Sequence, residues 1–241
     1  MLIIFNNLEG KGKMIDVIYL NGGSGKRIDL GYPKQYARLK GKPIMIYGLE
    51  IFNQLKEIGN IIIPTAESEK IKTSDYLSQY NISKYIICNG GKTRQESVYK
   101  GLKEVQTDSV LIAESVRPFI NIDFVSRIIH SEYKVVIPRN ITKSTLVSSL
   151  SHATFNRKTV AEVQTPQKFD TRLLKEAHEK CKHSLNQYTD DMALFYAAFE
   201  DTFEYPLTAT YDIFDGLEQN VKITTKLDLY IAEAIYEYIN R

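Results

Sequence analysis

Short runs of β-branched and apolar residues alternate along this chain with amphipathic stretches of helical period. That alternation restricts the fold more than any other feature. Ile15-Asp16-Val17-Ile18-Tyr19-Leu20, Ile61-Ile62-Ile63-Pro64, Tyr85-Ile86-Ile87-Cys88, Ser109-Val110-Leu111-Ile112-Ala113 and Lys134-Val135-Val136-Ile137-Pro138 have the length and residue types of buried strands. Between them, Pro43–Leu55 repeats apolar residues at helical spacing through Ile46, Leu49 and Phe52. Ser74–Tyr80, Arg94–Val105 and Asp123–His130 read as further helices. Strands separated by helices at this interval predict an α/β fold: a mostly parallel sheet covered by helices on both faces. Ligands of such sheets lie at the carboxyl ends of the strands, so the turns after Leu20, Cys88 and Ala113 are expected to share one crevice.

The pattern breaks once. From about 140 to 163 the chain is rich in Ser and Thr, mixes β-branched with polar residues and loses helical period, which suggests a hairpin arm leaving the sheet. Helices return at Asp170–Cys181 and Asp190–Glu200. Tyr211–Gly216 reads as a turn region, Asn220–Thr225 as a last strand and Leu227–Ile239 as a closing helix with an apolar stripe. With no repeat and no low-complexity linker, residues 14–241 are expected to form a single domain carrying the arm, and residues 1–13 an N-terminal extension.

Composition narrows the function classes. A net charge of +2 on 241 residues is too small to argue for a nucleic-acid partner, so anion recognition must come from local clusters. The two cysteines, Cys88 and Cys181, lie far apart and form no CxxC pair, which fits reduced thiols better than a disulfide framework or a zinc site. No apolar run is long enough to span a bilayer, and a cytoplasmic protein is expected. His130, His152, His178 and His183 are scattered without ligand or catalytic spacing and are read as structural or surface residues.

After the first strand comes Leu20-Asn21-Gly22-Gly23-Ser24-Gly25-Lys26-Arg27. A P-loop would place glycine where Leu20 stands and Ser or Thr where Arg27 stands. The dinucleotide fingerprint would place a third glycine at Ile28. What remains is a turn of small residues whose backbone N–H groups can approach phosphate oxygens, ending in two cations. Lys34 follows closely. A cation cluster of this kind suits a triphosphate, and the alternative is a solvated basic face.

The loop Gly22–Arg27, Pro33-Lys34-Gln35-Tyr36, Gly91-Lys92-Thr93-Arg94-Gln95-Glu96-Ser97-Val98, Arg117-Pro118-Phe119, Gln164-Thr165-Pro166-Gln167-Lys168-Phe169, Thr189-Asp190-Asp191 and Asn220-Val221-Lys222-Ile223-Thr224-Thr225 occur in this order. Taken together they resemble the cytidylyltransferases that act on 2-C-methyl-erythritol 4-phosphate and on ribitol 5-phosphate. The likeness runs from about Ile15 to the C-terminus. It implies a Rossmann-like sheet, CTP and a small polyol phosphate as substrates, Mg²⁺ as cofactor, and a homodimer joined through the arm. By resemblance, Arg27, Lys34 and Lys222 are the catalytic cations at the α-phosphate. Leu20, Asn21, Gly22, Gly23, Ser24, Gly25, Lys26, Gly90, Gly91, Arg94 and Ser97 hold the nucleotide. Arg117, Thr142, Arg157 and Thr165 bind the acceptor, with Arg157 reaching across the dimer, and Glu114 is the metal ligand.

Two stretches depart from the family pattern. Ala113-Glu114-Ser115-Val116-Arg117-Pro118 stands where a His-Asp pair is usual, so the metal ligand is one methylene longer and the histidine is missing. Thr142 is kept without its acidic neighbour. Asn21-Gly22-Gly23 and Val116-Arg117-Pro118-Phe119 look closer to the ribitol-phosphate enzymes, and Thr189-Asp190-Asp191 closer to the methylerythritol ones. The preferred expectation is therefore a ribitol 5-phosphate-like acceptor serving capsule or teichoic-acid synthesis. The alternatives are 2-C-methyl-D-erythritol 4-phosphate in isoprenoid synthesis and a catalytically impaired nucleotide-binding homologue. A dinucleotide oxidoreductase is disfavoured by Ile28.

Overall fold

The computed structural model describes residues 14–23, 31–200 and 211–241. Their sheet has the order β10-β7-β9-β6-β1-β4-β5, with β8 added to β7. The strands are β1 (Ile15–Leu20), β4 (Ile58–Thr65), β5 (Tyr85–Asn89), β6 (Ser109–Glu114), β7 (Val135–Ile141), β8 (Ala161–Val163), β9 (Gln167–Asp170) and β10 (Tyr211–Asp215). β2 (Arg38–Leu39) and β3 (Lys42–Pro43) form a separate small hairpin. Every residue of β1 is buried, as its largely apolar run demands of a strand covered on both faces; the exception in type, Asp16, accepts from Asn60 N and Gln106 N. β1 pairs in parallel with β4 and β6, β4 with β5, and β10 with β7; β9 lies antiparallel between β6 and β7.

The two faces have separate cores. On one, α1 (Ile44–Gln54), α2 (Lys70–Gln79) and α4 (Ile122–His130) bring Leu49, Phe52, Leu77, Phe124 and Ile128 onto Val17 and Tyr19. On the other, α3 (Arg94–Gly101), α5 (Thr171–Lys180) and α6 (Asp191–Phe199) bring Val98, Leu173 and Phe195 onto Ile18 and Leu20. The last helix, α7 (Lys226–Ile239), packs with Leu39 and Ile44 over Phe119 and Ile223. Chain order passes from β1 outward to β4 and β5, then crosses to β6 on the other side. That reversal opens a crevice beyond the carboxyl ends of β1 and β6.

The expected α/β architecture is present, with four local differences. Tyr211–Gly216, read as a turn, supplies β10, which pairs with Val135–Arg139 and buries Phe214. Asn220–Thr225, read as a strand, is extended chain outside the sheet. Gln167–Asp170, read as no strand, is β9. Its Lys168 is buried because the ammonium donates to Ile129 O (3.1 Å) and Ser131 O (2.6 Å), capping the carboxyl end of α4. Helix α3 stops at Gly101, short of Val105. The irregular stretch does fold back on itself: Val147 bridges Thr154, Ser148 N donates to Ala153 O and Phe155 N donates to Leu146 O.

Both cysteines are free, and burial pushes the Cys88 thiol up to about 11. Among the described residues no helix is long and apolar enough to cross a membrane. His178 bears out the structural reading of that histidine. It is fully buried on α5, stacks on Tyr99 at 5.9 Å, and neither ring nitrogen has a hydrogen-bond partner.

Burial, reinforced by the Arg94 charge, lowers the His178 pKa from 6.5 to about 4. The unfolded chain therefore binds a proton that the folded one refuses. The contribution of His178 is fully present above pH 6.5 and declines as pH falls towards 4, by on the order of 3 kcal/mol in total. In H178F, denaturant unfolding between these pH values should lose about one proton, or about 1.4 kcal/mol per pH unit, from its slope. An unchanged slope would show that another group controls acid sensitivity.

Candidate active site

The crevice is organised around one carboxylate. Glu114 ends β6 beside Leu20, the last residue of β1, and is 8% exposed. Lys222 Nζ donates to its Oε1 at 2.8 Å, Arg94 Nε approaches the same oxygen at 3.3 Å, and Arg117 Nε approaches Oε2 at 3.4 Å. These cations come from the extended chain before α7, from the start of α3 and from the turn after β6. Burial alone would raise the Glu114 carboxyl, but Lys222, Arg94 and Arg117 outweigh it and hold it at about 2.

Two of the three cations, Arg94 and Arg117, have a second support. Arg94 Nη2 donates to Asp191 Oδ2 at 2.6 Å, and Asp191 is fully buried. Burial opposes the Arg94 charge, yet Asp191 and Glu114 raise its pKa further. The neighbouring Asp190 caps α6 by accepting from Met192 N, and its Oδ2 accepts from Gln167 Nε2 at 3.0 Å. Burial and the Asp191 charge push the Asp190 carboxyl up. Arg117 Nη1 donates to Asn220 O at 2.7 Å.

The nucleotide-loop residues gather at the same crevice. Gly22 lies so close to Ser97 that an added Cβ would stand 3.9 Å from its hydroxyl. Ser97 Oγ accepts from Gly91 N (2.9 Å) and donates to Thr93 O (3.0 Å), closing the turn between β5 and α3. At Gly91 a Cβ would fall 2.2 Å from Glu96 Cβ, so only glycine fits. Gly90 N donates to Thr65 O, which fixes this turn to the end of β4. Gln35 Nε2 donates to Asn21 O (2.8 Å) and the Tyr36 hydroxyl hydrogen-bonds Thr73 (2.8 Å), seating the Lys34 turn beside the chain that leaves β1.

Leu20, Asn21, Gly22, Gly90, Gly91, Arg94, Ser97, Glu114, Arg117 and Lys222 thus belong to one region, with Gly23 next to Gly22 and Lys34 on its edge. Ser24, Gly25, Lys26 and Arg27, like the extension 1–13, lie outside the described residues. Thr165 is buried near Lys222 through Asn220 Nδ2, which donates to Thr165 O at 2.9 Å. Thr142 and Arg157 sit apart. The Thr142 hydroxyl accepts from Ser144 N inside its own turn, and Arg157 opens an exposed 3-10 turn of the arm. Gln167, Asp191 and Asn220, all buried, and the partly buried Asp190 were not assigned roles from the sequence. Their signals there were the family-like motifs that contain them and, for Asp190, a helix N-cap position.

The cluster also bears on metal. Among the described residues no group of three or more His, Cys, Asp or Glu side chains could hold an ion. Glu114 is an ionised oxygen donor with lone-pair capacity beyond its three contacts, which suits Mg²⁺ sharing one carboxylate with substrate phosphates. Three cations would repel a bare dication, so it fits only in company with a polyphosphate.

Comparison with known proteins bears on the acceptor. A family model described as "IspD: 2-C-methyl-D-erythritol 4-phosphate cytidylyltransferase" matches residues 15–238. A protein of Clostridium botulinum (strain Langeland) with that enzyme name is 35% identical over 230 residues, covering 92% of this chain and 96% of the relative. One from Clostridium perfringens (strain SM101) is 34% identical over 236 residues, covering 92% and 98%. The solved 4-diphosphocytidyl-2C-methyl-D-erythritol synthase of Anaerococcus prevotii superposes with a TM-score of 0.79 at 28% identity, over 95% of this chain and 97% of that one. The Thermus thermophilus structure, at 23% identity and a TM-score of 0.72 over 93% and 99%, supports the fold.

These matches overturn the expected ribitol 5-phosphate acceptor in favour of the methylerythritol alternative. Of the residues that suggested ribitol, Asn21 is buried against Thr73, and Val116 and Phe119 are buried in packing positions, whereas Arg117 belongs to the cation cluster. Asp191, from the stretch that looked methylerythritol-like, also reaches that cluster.

Replacing Asp191 by Asn leaves the buried Arg94 guanidinium without its closest counter-charge. D191N should lose about 3–5 kcal/mol of unfolding free energy. A variant as stable as the parent in denaturant titration would show that Glu114 alone neutralises Arg94.

Proposed function

Because the chain belongs to the IspD family of cytidylyltransferases, we propose that it joins CTP to 2-C-methyl-D-erythritol 4-phosphate and releases pyrophosphate. An oxygen of the acceptor's phosphate forms the new bond to the α-phosphorus of CTP as the bond from that phosphorus to the β-phosphate oxygen breaks. Two anions must meet for this to happen, so cations have to be fixed in place before they arrive.

The observation that carries the reading is the convergence of Lys222, Arg94 and Arg117 on Glu114 at the mouth of the sheet. Lys222 is the most exposed of the three, with 38% of its side chain accessible. It can exchange the Glu114 carboxylate for an oxygen of the α-phosphate, where it stabilises charge as the bonds change. Lys34 and Arg27 act on the same phosphate. The glycine turn from Gly22 to Lys26 follows the triphosphate with its N–H groups. Gly90, Gly91 and Ser97 hold cytosine and ribose. Arg117, Thr165, Thr142 and Arg157 take the acceptor, Arg157 from the partner of a homodimer joined by the arm. Glu114 would hold Mg²⁺ that enters with CTP; the ion, when bound, offsets phosphate charge.

Two measurements test this. With CTP and a panel of polyol phosphates, pyrophosphate release should be fastest with 2-C-methyl-D-erythritol 4-phosphate; faster release with ribitol 5-phosphate would reject the acceptor. Lys222→Ala should reduce kcat by about 10²-fold while leaving CTP affinity nearly intact. Turnover close to the parent's would remove Lys222 from the mechanism.

A further inference from the structure

Lys222 stands on a segment with no secondary structure of its own, from Gly216 to Thr225. Something must fix that segment, and the largest share of the work falls to Gln164, the residue just after β8 at the root of the arm. Gln164 is 5% exposed. Its Nε2 donates to Leu217 O at 2.8 Å while its Oε1 accepts from Leu217 N at 3.1 Å. One side-chain amide thus pairs with both sides of one residue's backbone, as a neighbouring strand would. Oε1 also accepts from Asn220 Nδ2 at 3.3 Å, and Asn140 Nδ2 donates to the same Leu217 carbonyl at 3.1 Å. Gly216 permits this approach: a Cβ there would fall 2.3 Å from Gln164 Oε1.

The far side of the segment is held from β6. Arg117 donates to Asn220 O, and Ile223 N donates to Val116 O. Lys222 lies between these two anchors, two residues beyond Asn220. We propose that Gln164, assisted by Asn140, is a positioning residue for Lys222: it ties the Lys222 segment to the root of the arm and so sets where the ammonium meets the α-phosphate. This rests on the reading of Lys222 given above. Gly216 N also donates to Arg139 O at 2.7 Å, but at Leu217 both backbone groups pair with the Gln164 side chain.

Gln164→Leu keeps the volume but removes the donor and the acceptor together. It is expected to lower kcat by about tenfold or more and to leave the KM for CTP within about threefold, since the nucleotide loops are untouched. Asn140→Ala, a milder cut at the same carbonyl, should lower kcat by about threefold and serves if Gln164→Leu does not fold, as judged by thermal unfolding. The decisive measurement is the double variant. If Gln164 acts through Lys222, adding Gln164→Leu to Lys222→Ala costs less than about a further twofold in kcat. Losses that multiply, or a Gln164→Leu enzyme with parental kcat beside an impaired Lys222→Ala, overturn the inference and leave the functional reading standing. A Lys222→Ala enzyme with parental kcat defeats the functional reading itself.

Discussion

A single buried carboxylate collects positive charge from three remote parts of the chain, and the architecture of the crevice depends on that attraction. Arg94, Arg117 and Lys222 would repel one another if left unpaired in a partly desolvated space. Glu114 lets them share that space. The Asp191 carboxylate, fully buried behind Arg94, adds a second counter-charge and ties the cluster to α6. Sheet topology supplies the location. β6 delivers Glu114 beside the end of β1, where strand order reverses and helices cannot cover the edge.

The same arrangement explains how a chain of nearly balanced overall charge can handle polyanions. Its net charge of +2 says little, because the useful cations are concentrated. Glu114 keeps them oriented through its hydrogen bonds. Under the proposed function, arriving phosphates would compete for donors already in place, which avoids reorganisation at the moment of reaction.

Much of the scaffold was legible in the sequence because burial imposes a pattern. Ile15–Leu20 and Ser109–Ala113 lie within strands close to their expected limits, since strands covered on both faces must be largely apolar, and the partly buried edge strand at Tyr85–Cys88 was legible from its β-branched run. β9 was not legible. Gln167 and Lys168 are polar residues whose partners, Asp190 and the end of α4, exist only after folding. Asn220–Thr225 misled in the other direction. Val221 and Ile223 suggest a strand, but Ile223 packs beneath α7 and not in the sheet. At the site, glycine turns and cations could be located from their local chemistry. The pairing of Arg94 with Asp191 could not, because 97 residues separate its members and nothing local couples the two motifs. The acceptor was misjudged for a related reason: short likenesses at Asn21 and Phe119 reflected core packing, and only matches along the whole chain weighted them correctly.

The antiparallel insertion of β9 also divides the sheet into two unequal plates. On one side β5, β4, β1 and β6 are drawn from residues before 115; on the other β7, β8 and β10 all come after 134. Strand pairing between the plates runs through four residues, Gln167–Asp170, with four register pairs to β6 and two to β7. During synthesis the first plate can close early, while β7 has to wait for a strand made some thirty residues later before it gains a neighbour in the main sheet. The seam that results is narrow in backbone pairing, so cohesion of the two halves rests largely on the apolar clusters that span it on both faces.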